Sequence, residues 1–268
     1  MTSRQPTEWD AATYHRVSRP HETWGQGVLA RLPLRGDDTV LDAGCGTGKL
    51  TAELLERLPS GRVVALDASA NMLDAARDFL APRFGDRVTF VQADLLDLDR
   101  SGALAGGVDA VFSTATFHWV RDHARLFANL FRVLRPGGWL VAQCGGGANI
   151  ARLVGHADDV MRSAPFAPYF AGWGGPWEYA DDATTAERLR TAGFVEVETS
   201  LEPSPVQLGG RAEYAEYLRT VVFSAHLARL PEDLRAPFVE AVVRAAEAGD
   251  PPYLLDYWRL NIRARMPG

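Results

Sequence analysis

The chain has 268 residues, 47% apolar and 23% charged, with 28 basic against 34 acidic side chains and a net charge of −6. That length buries one large core, or one core with a helical appendage, and an acidic chain without a clustered basic stripe disfavours a nucleic-acid partner. No apolar run is long enough to span a bilayer, the polar start does not read as a signal peptide, and two cysteines make no disulfide framework; reduced thiols in a cytoplasmic protein are the expectation.

In chain order, residues 1–20 form a polar leader that carries Trp9 and Tyr14, and a helix is predicted over 21–32. Thr39 to Asp42 reads as a strand that runs into the glycine loop Gly44-Cys45-Gly46-Thr47-Gly48. A helix follows, with Leu50, Leu54, Leu55 and Leu58 at helical spacing. Glycines there let main chain turn sharply, and a nucleotide-type ligand lying across the turn is expected to meet bare amides and a helix N-terminus.

Arg62 to Asp67 is a second apolar strand ending in an acid, placed where a doubly wound fold puts a carboxylate that accepts from an adenosine ribose. Val88 to Leu95 contains a third strand that ends at Asp94. That acid either accepts from an adenine amino group or caps the following turn. Val108 to Ser113 is the fourth strand, followed by Phe117-His118-Trp119. A helix with Leu126, Phe127, Leu130 and Phe131 on one face stops at Arg135-Pro136-Gly137-Gly138, and Trp139 to Cys144 is the fifth strand.

These segments together resemble the class I methyltransferases that depend on S-adenosylmethionine. The resemblance runs over residues 38–145 and rests on Asp42 to Gly48, Asp67, Asp94 with Leu95, and Leu134 to Gly138. More narrowly, Trp9-Asp10 with Tyr14 and Phe117 to Val120 are similar to small-molecule enzymes of the trans-aconitate type. The glycine loop also invites comparison with NAD-dependent dehydrogenases. Their fingerprint wants glycine where Lys49 stands, and Asp94 and the Arg-Pro-Gly-Gly turn fit only the methyltransferases.

The resemblance implies an α/β fold with a doubly wound, Rossmann-like seven-stranded sheet, its last strand antiparallel, and a helical cap. Four regions are expected. Residues 1–36 contribute to a lid, 37–201 form the cofactor-binding core, 202–256 are the inserted cap, and 257–268 supply the final edge strand. The cap follows from the long separation of the last two strands, at 194–199 and 258–265. Helices are predicted over 148–161, 184–192, 211–229 and 232–248, and the aromatic-rich stretch 163–179 is expected to join the lid.

The implied reaction is methyl transfer from S-adenosylmethionine to a small molecule, leaving S-adenosylhomocysteine, with O-methylation of a carboxylate or hydroxyl placed first. The variants are C- or N-methylation of a natural product, or a catalytically silent cofactor-binding protein. The expected cofactor residues are Asp42, Gly44, Cys45, Gly46, Asp67, Ala68, Met72, Asp94, Leu95 and Ser113. The expected acceptor residues are Trp9, Tyr14, His118 and Trp119, with no metal. His118 is the one candidate base, needed for a hydroxyl or amine and not for a carboxylate, and it could equally only line the pocket. Asp42 either holds the methionine end of the cofactor or fixes the glycine loop. Met72 packs on adenine or in the core.

Overall fold

The computed structural model describes residues 19–100 and 102–268, so Trp9 and Tyr14 lie outside the described residues. Helix α1 (Arg19–Ala30) leads into β1 (Thr39–Ala43), α2 (Lys49–Arg57), β2 (Arg62–Asp67), α3 (Ala70–Phe84) and β3 (Val88–Gln92). Strand β4 (Val108–Thr114), helix α4 (His123–Val133) and β5 (Leu134–Gly145) complete the parallel part. Then come α5 (Ala151–Arg162), α6 (Asp182–Thr191), β6 (Val195–Pro203), α7 (Arg211–Tyr217), α8 (Glu232–Glu247) and β7 (Trp258–Arg265). The sheet order is β3-β2-β1-β4-β5-β7-β6, parallel through β5, with β7 antiparallel to both of its neighbours.

The central strands are apolar on both faces because both are covered. Val40, Val63, Ala65 and Phe112 face α1, α2 and α3, where Val28, Leu54, Leu55 and Leu80 are fully buried. Leu41, Val64, Leu66 and Val111 face the other way, onto Phe127 and Leu130 of α4 and Leu189 of α6. Each such aliphatic side chain contributes roughly 1.5–3 kcal/mol of burial. Sidedness in the helices follows spacing: α4 is capped by Asp122, whose carboxylate accepts from Arg125 N–H, and buries Leu126, Phe127 and Leu130 along one stripe.

The last strand is not at the edge. Strand β7 sits between β5 and β6, and β6 takes the edge. The physical reason lies in burial. Leu260, Ile262 and Ala264 enter the main core, while Arg259 and Asn261 on the opposite face are also buried, so both faces of β7 are covered over its first half and only Arg263 and Arg265 beyond reach water. Strand β6 carries Glu196, Glu198 and Glu202 and is largely exposed, the composition that an edge tolerates.

A second core lies beyond the sheet. Residues of α5, α7 and α8, with Phe166, Phe170, Phe223, Leu255 and Tyr257, pack around Phe238. Helix 211–229 is not continuous. It widens over Leu218–Val222 into a π-helical turn and resumes only at Ser224–Leu227. Thr220, Val221 and Val222 form a β-branched run there, which weakens regular helix.

Candidate active site

The carboxyl ends of β1, β2, β3 and β4 open onto one cavity, at the point where the strand order reverses from β1. Its floor is the glycine loop. Gly44 has φ +88°, and a β-carbon there would stand 2.1 Å from Thr116 Oγ1, so only glycine fits. Gly46, at φ +54°, has nothing within 4 Å of a β-carbon position, because that direction is the cavity itself.

The loop does not present bare amides. Gly44 and Cys45 N–H both donate to Leu66 O, at 2.8 and 2.9 Å, and Gly46 N–H donates to Asp67 Oδ2 at 2.9 Å. Its service to a ligand is therefore the absence of side chains and a rigid floor. Asp67 does two jobs. Its Oδ1 accepts from Ser69 N–H at 2.9 Å, so both oxygens brace backbone at the rim of the cavity.

The residues expected at the cofactor divide into two groups. Gly44, Gly46, Asp67, Ala68, Met72, Asp94 and Leu95 line the cavity. Asp94 also caps its turn, with Oδ1 accepting from Leu96 N–H at 2.9 Å. Asp42, Cys45 and Ser113 do not line it. Asp42 is buried behind the loop, where Thr51 Oγ1 donates to it at 2.7 Å. Burial pushes its carboxyl pKa up to about 7; Asp67 adds to the rise, and the Thr51 bond opposes it. Ser113 Oγ donates to Ala43 O at 2.6 Å and so ties β4 to β1. The Cys45 thiol is buried, and burial raises its pKa, which keeps it protonated.

His118 and Trp119 line the far side. Gly145 N–H donates to His118 Nδ1 at 3.3 Å, so the neutral ring carries its proton on Nε2. Around it stands an aromatic wall from the 163–179 stretch expected in the lid, although none of its residues is singled out by sequence. Tyr179 lies 5.8 Å from His118, and Trp177 is stacked on Tyr179 at 5.6 Å and 15°. That segment is anchored by Glu178, whose N–H donates to His118 O at 2.9 Å and whose carboxylate pairs with Arg188. Arg188 in turn contacts His123 Nδ1, while His123 Nε2 meets Phe117 O. Asn149 joins the wall to β7: its Oδ1 accepts from Trp258 N–H at 3.0 Å, and its side chain also hydrogen-bonds Tyr179.

Ile150, Val221, Val222, Tyr257 and Arg259 close the cavity from the cap and β7. Two lining residues, Ala115 at φ +55° and Ile150 at φ +48°, hold left-handed backbone without being glycine. Such strain gathers where a site over-determines its geometry. Tyr214, Tyr217 and Phe223 are packed in the cap core and do not line the cavity. No helix among the described residues is long and apolar enough to cross a membrane.

Comparison with known proteins agrees with this architecture. The family described as "Methyltransferase domain" matches residues 40–138. An uncharacterized methyltransferase of Schizosaccharomyces pombe is 30% identical over 190 residues, 69% of this chain and 70% of that protein. The trans-aconitate 2-methyltransferase of Azoarcus sp. (strain BH72) is 43% identical over 135 residues, so the match spans only half of each chain. That of Deinococcus radiodurans is 28% identical over 263 residues, covering 97% of this chain and 92% of the relative. Among solved structures, Haemonchus contortus phosphoethanolamine N-methyltransferase 2 with S-adenosylhomocysteine superposes with a TM-score of 0.61 at 18% identity, over 96% of this chain and 57% of that one.

Fold and cavity thus define an α/β enzyme of the nucleoside-cofactor type. The chain belongs to the S-adenosylmethionine-dependent methyltransferases.

Proposed function

We propose that the protein methylates a carboxylate oxygen of a small acceptor, leaving a methyl ester and S-adenosylhomocysteine. The cofactor fits the residues present: the direction a Gly46 side chain would take is open cavity, and two acids stand at the tips of adjacent strands. In this reading the Asp67 carboxylate, at the tip of its strand and on the cavity wall, accepts from the ribose hydroxyls. Asp94 and Leu95 serve the adenine edge, and Met72 lies against its ring. Asp42 and Ser113 support the loop from behind and touch no ligand.

Bound S-adenosylmethionine supplies a methyl group on a sulfonium sulfur that leaves with the bonding pair, so an in-line carboxylate oxygen has no proton to lose. The chain's own residues then orient the acceptor and exclude water. The observation that carries the carboxylate is His118. With Nδ1 accepting from Gly145, the ring turns its Nε2–H, a donor, toward other partners. That arrangement supports an acceptor already ionised at neutral pH. The trans-aconitate 2-methyltransferase relatives support the same class. Residues 202–256 together with 150–179 act in this reading as the cap that selects the acceptor. Two buried free thiols and the acidic charge fit a cytoplasmic enzyme with no nucleic-acid partner.

A pH–rate profile tests this. With a carboxylic acid acceptor, kcat is expected to stay flat from about pH 6 to pH 8, and His118→Gln to lower it by less than about tenfold. A rising limb near the histidine pKa that vanishes in the variant would make His118 a base and move the acceptor to a hydroxyl or amine.

A further inference from the structure

Arg259 is the only lysine or arginine buried among the described residues; it is 3% exposed and lines the cavity. It forms no ion pair with a described carboxylate. The groups acting on its charge are Cys144, Tyr257, Tyr217 and Tyr179, neutral at physiological pH in such a setting. A buried guanidinium without an anion is costly, and a fold tolerates it where an anion arrives from outside.

The side chain is also held ready. Its Nε donates to Gln143 Oε1 at 3.4 Å, and Gln143 Nε2 donates to Asn261 Oδ1 at 2.8 Å. Arg31 Nη2 donates to the same Asn261 oxygen at 2.7 Å, and Asn261 Nδ2 donates to Ser200. Trp24 packs on the guanidinium with 4.4 Å from Cζ to the ring centre. What remains among the described contacts is the two-pronged Nη end, the geometry that grips a carboxylate with two parallel bonds.

Its place in the sheet says which carboxylate. Arg259 is paired with Gly145, the residue whose N–H holds His118. It stands three strand steps from β1, about 14 Å, and four from the Asp67 strand, about 19 Å. That is the acceptor end of the cavity. Around it the lining is Ile150, Trp177, Tyr179, Val221, Val222 and Tyr257. Among the described lining residues no second lysine or arginine appears, and both acids, Asp67 and Asp94, lie at the other end.

We infer that the Arg259 fork binds the acceptor's carboxylate, and that the acceptor is a monocarboxylic acid with an apolar or aromatic body. This names the substrate class within the reading above and rests on it. A tricarboxylate such as trans-aconitate would bring two further negative charges against a lining that offers no further described cation.

The test is calorimetric binding of 3-phenylpropanoate and octanoate, with their methyl esters and trans-aconitate as comparators, to protein saturated with S-adenosylhomocysteine. The acids are expected to bind about 30-fold more tightly than the esters, and more tightly than trans-aconitate. Arg259→Gln should reduce acid affinity to the ester level, leave ester and S-adenosylhomocysteine affinity unchanged, and keep or raise the thermal midpoint. Arg259→Lys, which keeps charge and loses the fork, should fall between. The wild-type acid-against-ester comparison needs no variant to fold. Equal binding of acids and esters, unchanged acid affinity in folded Arg259→Gln, or tighter binding of trans-aconitate overturns the assignment. A loss confined to S-adenosylhomocysteine would also overturn it, by giving Arg259 to the cofactor. If labelled methyl enters only alcohols or amines while acids still bind through Arg259, the proposed reaction fails and the anion site stands. If acids become esters with unaltered affinity in Arg259→Gln, the reverse holds.

Discussion

The two ends of the cavity are made of different material. The end at β1, β2 and β3 falls within one continuous stretch, residues 44–95, and its glycines and acids sit at strand tips and turns, with Met72 added from α3. The end at β5, β7 and the cap is side chain, drawn from residues 118–120, 149–150, 176–177, 179, 221–222, 257 and 259. A backbone site needs few residue types and suits a ligand that does not vary. A side-chain site can be rewritten residue by residue, so it is where the acceptor is chosen.

Placing bulk on the floor should separate the two ends most sharply. Gly46→Leu fills open cavity, and S-adenosylhomocysteine affinity measured by calorimetry is expected to drop at least about 100-fold. The fold should lose only the roughly 1–2 kcal/mol of a non-glycine residue in left-handed backbone. Unchanged affinity would move the cofactor off the loop. Asp67→Ala should weaken the same ligand by about 1–3 kcal/mol while leaving carboxylic acid binding at the Arg259 end within about twofold. Equal losses at both ends would mean that Asp67 holds the whole cavity and not one half of it.

Two buried groups outside the cavity, one behind the glycine loop and one in the cap core, should also answer pH in opposite senses. Asp42, behind the loop, has a folded pKa of about 7 against an ordinary 3.8. Between those values the native state holds a proton that the unfolded chain has lost, so its contribution makes stability fall as pH rises from about 4 to 7. Asp42→Asn should remove that slope, which denaturant titrations at several pH values would show. His226, in the cap core, is 1% exposed among Phe170, Trp173, Trp177, Phe223 and Phe238, and its Nδ1 has no hydrogen-bond partner among the described residues. Burial lowers its pKa from 6.5 to about 3. The unfolded chain binds the proton first, so that contribution is lost as pH falls through this window. His226→Phe should flatten the acid limb and, by removing an unsatisfied buried nitrogen, stabilise by on the order of 1 kcal/mol. The same pH slope in parent and variant would contradict either assignment.

This contrast explains what could be read from the sequence. Gly44, Gly46, Asp67 and Asp94 are legible because each follows from a local rule about strand ends and turns. Local rules do not say which way a side chain points. Asp42 and Ser113 sit within the same motifs and serve the scaffold, and the amides of Gly44 and Cys45 are used by Leu66. Arg259 was hidden by a rule that ordinarily works. Alternation in residues 258–265 reads as one wet face, but α1, more than two hundred positions earlier, covers that face with Trp24 and Arg31. Covering both faces is also what draws β7 in from the edge. The break at Leu218–Val222 has the same origin: a periodic apolar pattern gives a helix, while the wider turn brings Val221 and Val222 to the cavity through tertiary packing.

The central claim is that the acceptor atom is a carboxylate oxygen. Incubation with methyl-labelled S-adenosylmethionine and the acid panel, followed by mild alkali, examines it directly. The account predicts label released as methanol, the signature of a methyl ester. Label that stays on the product through alkali would place the methyl on carbon, nitrogen or an ether oxygen, and would contradict it.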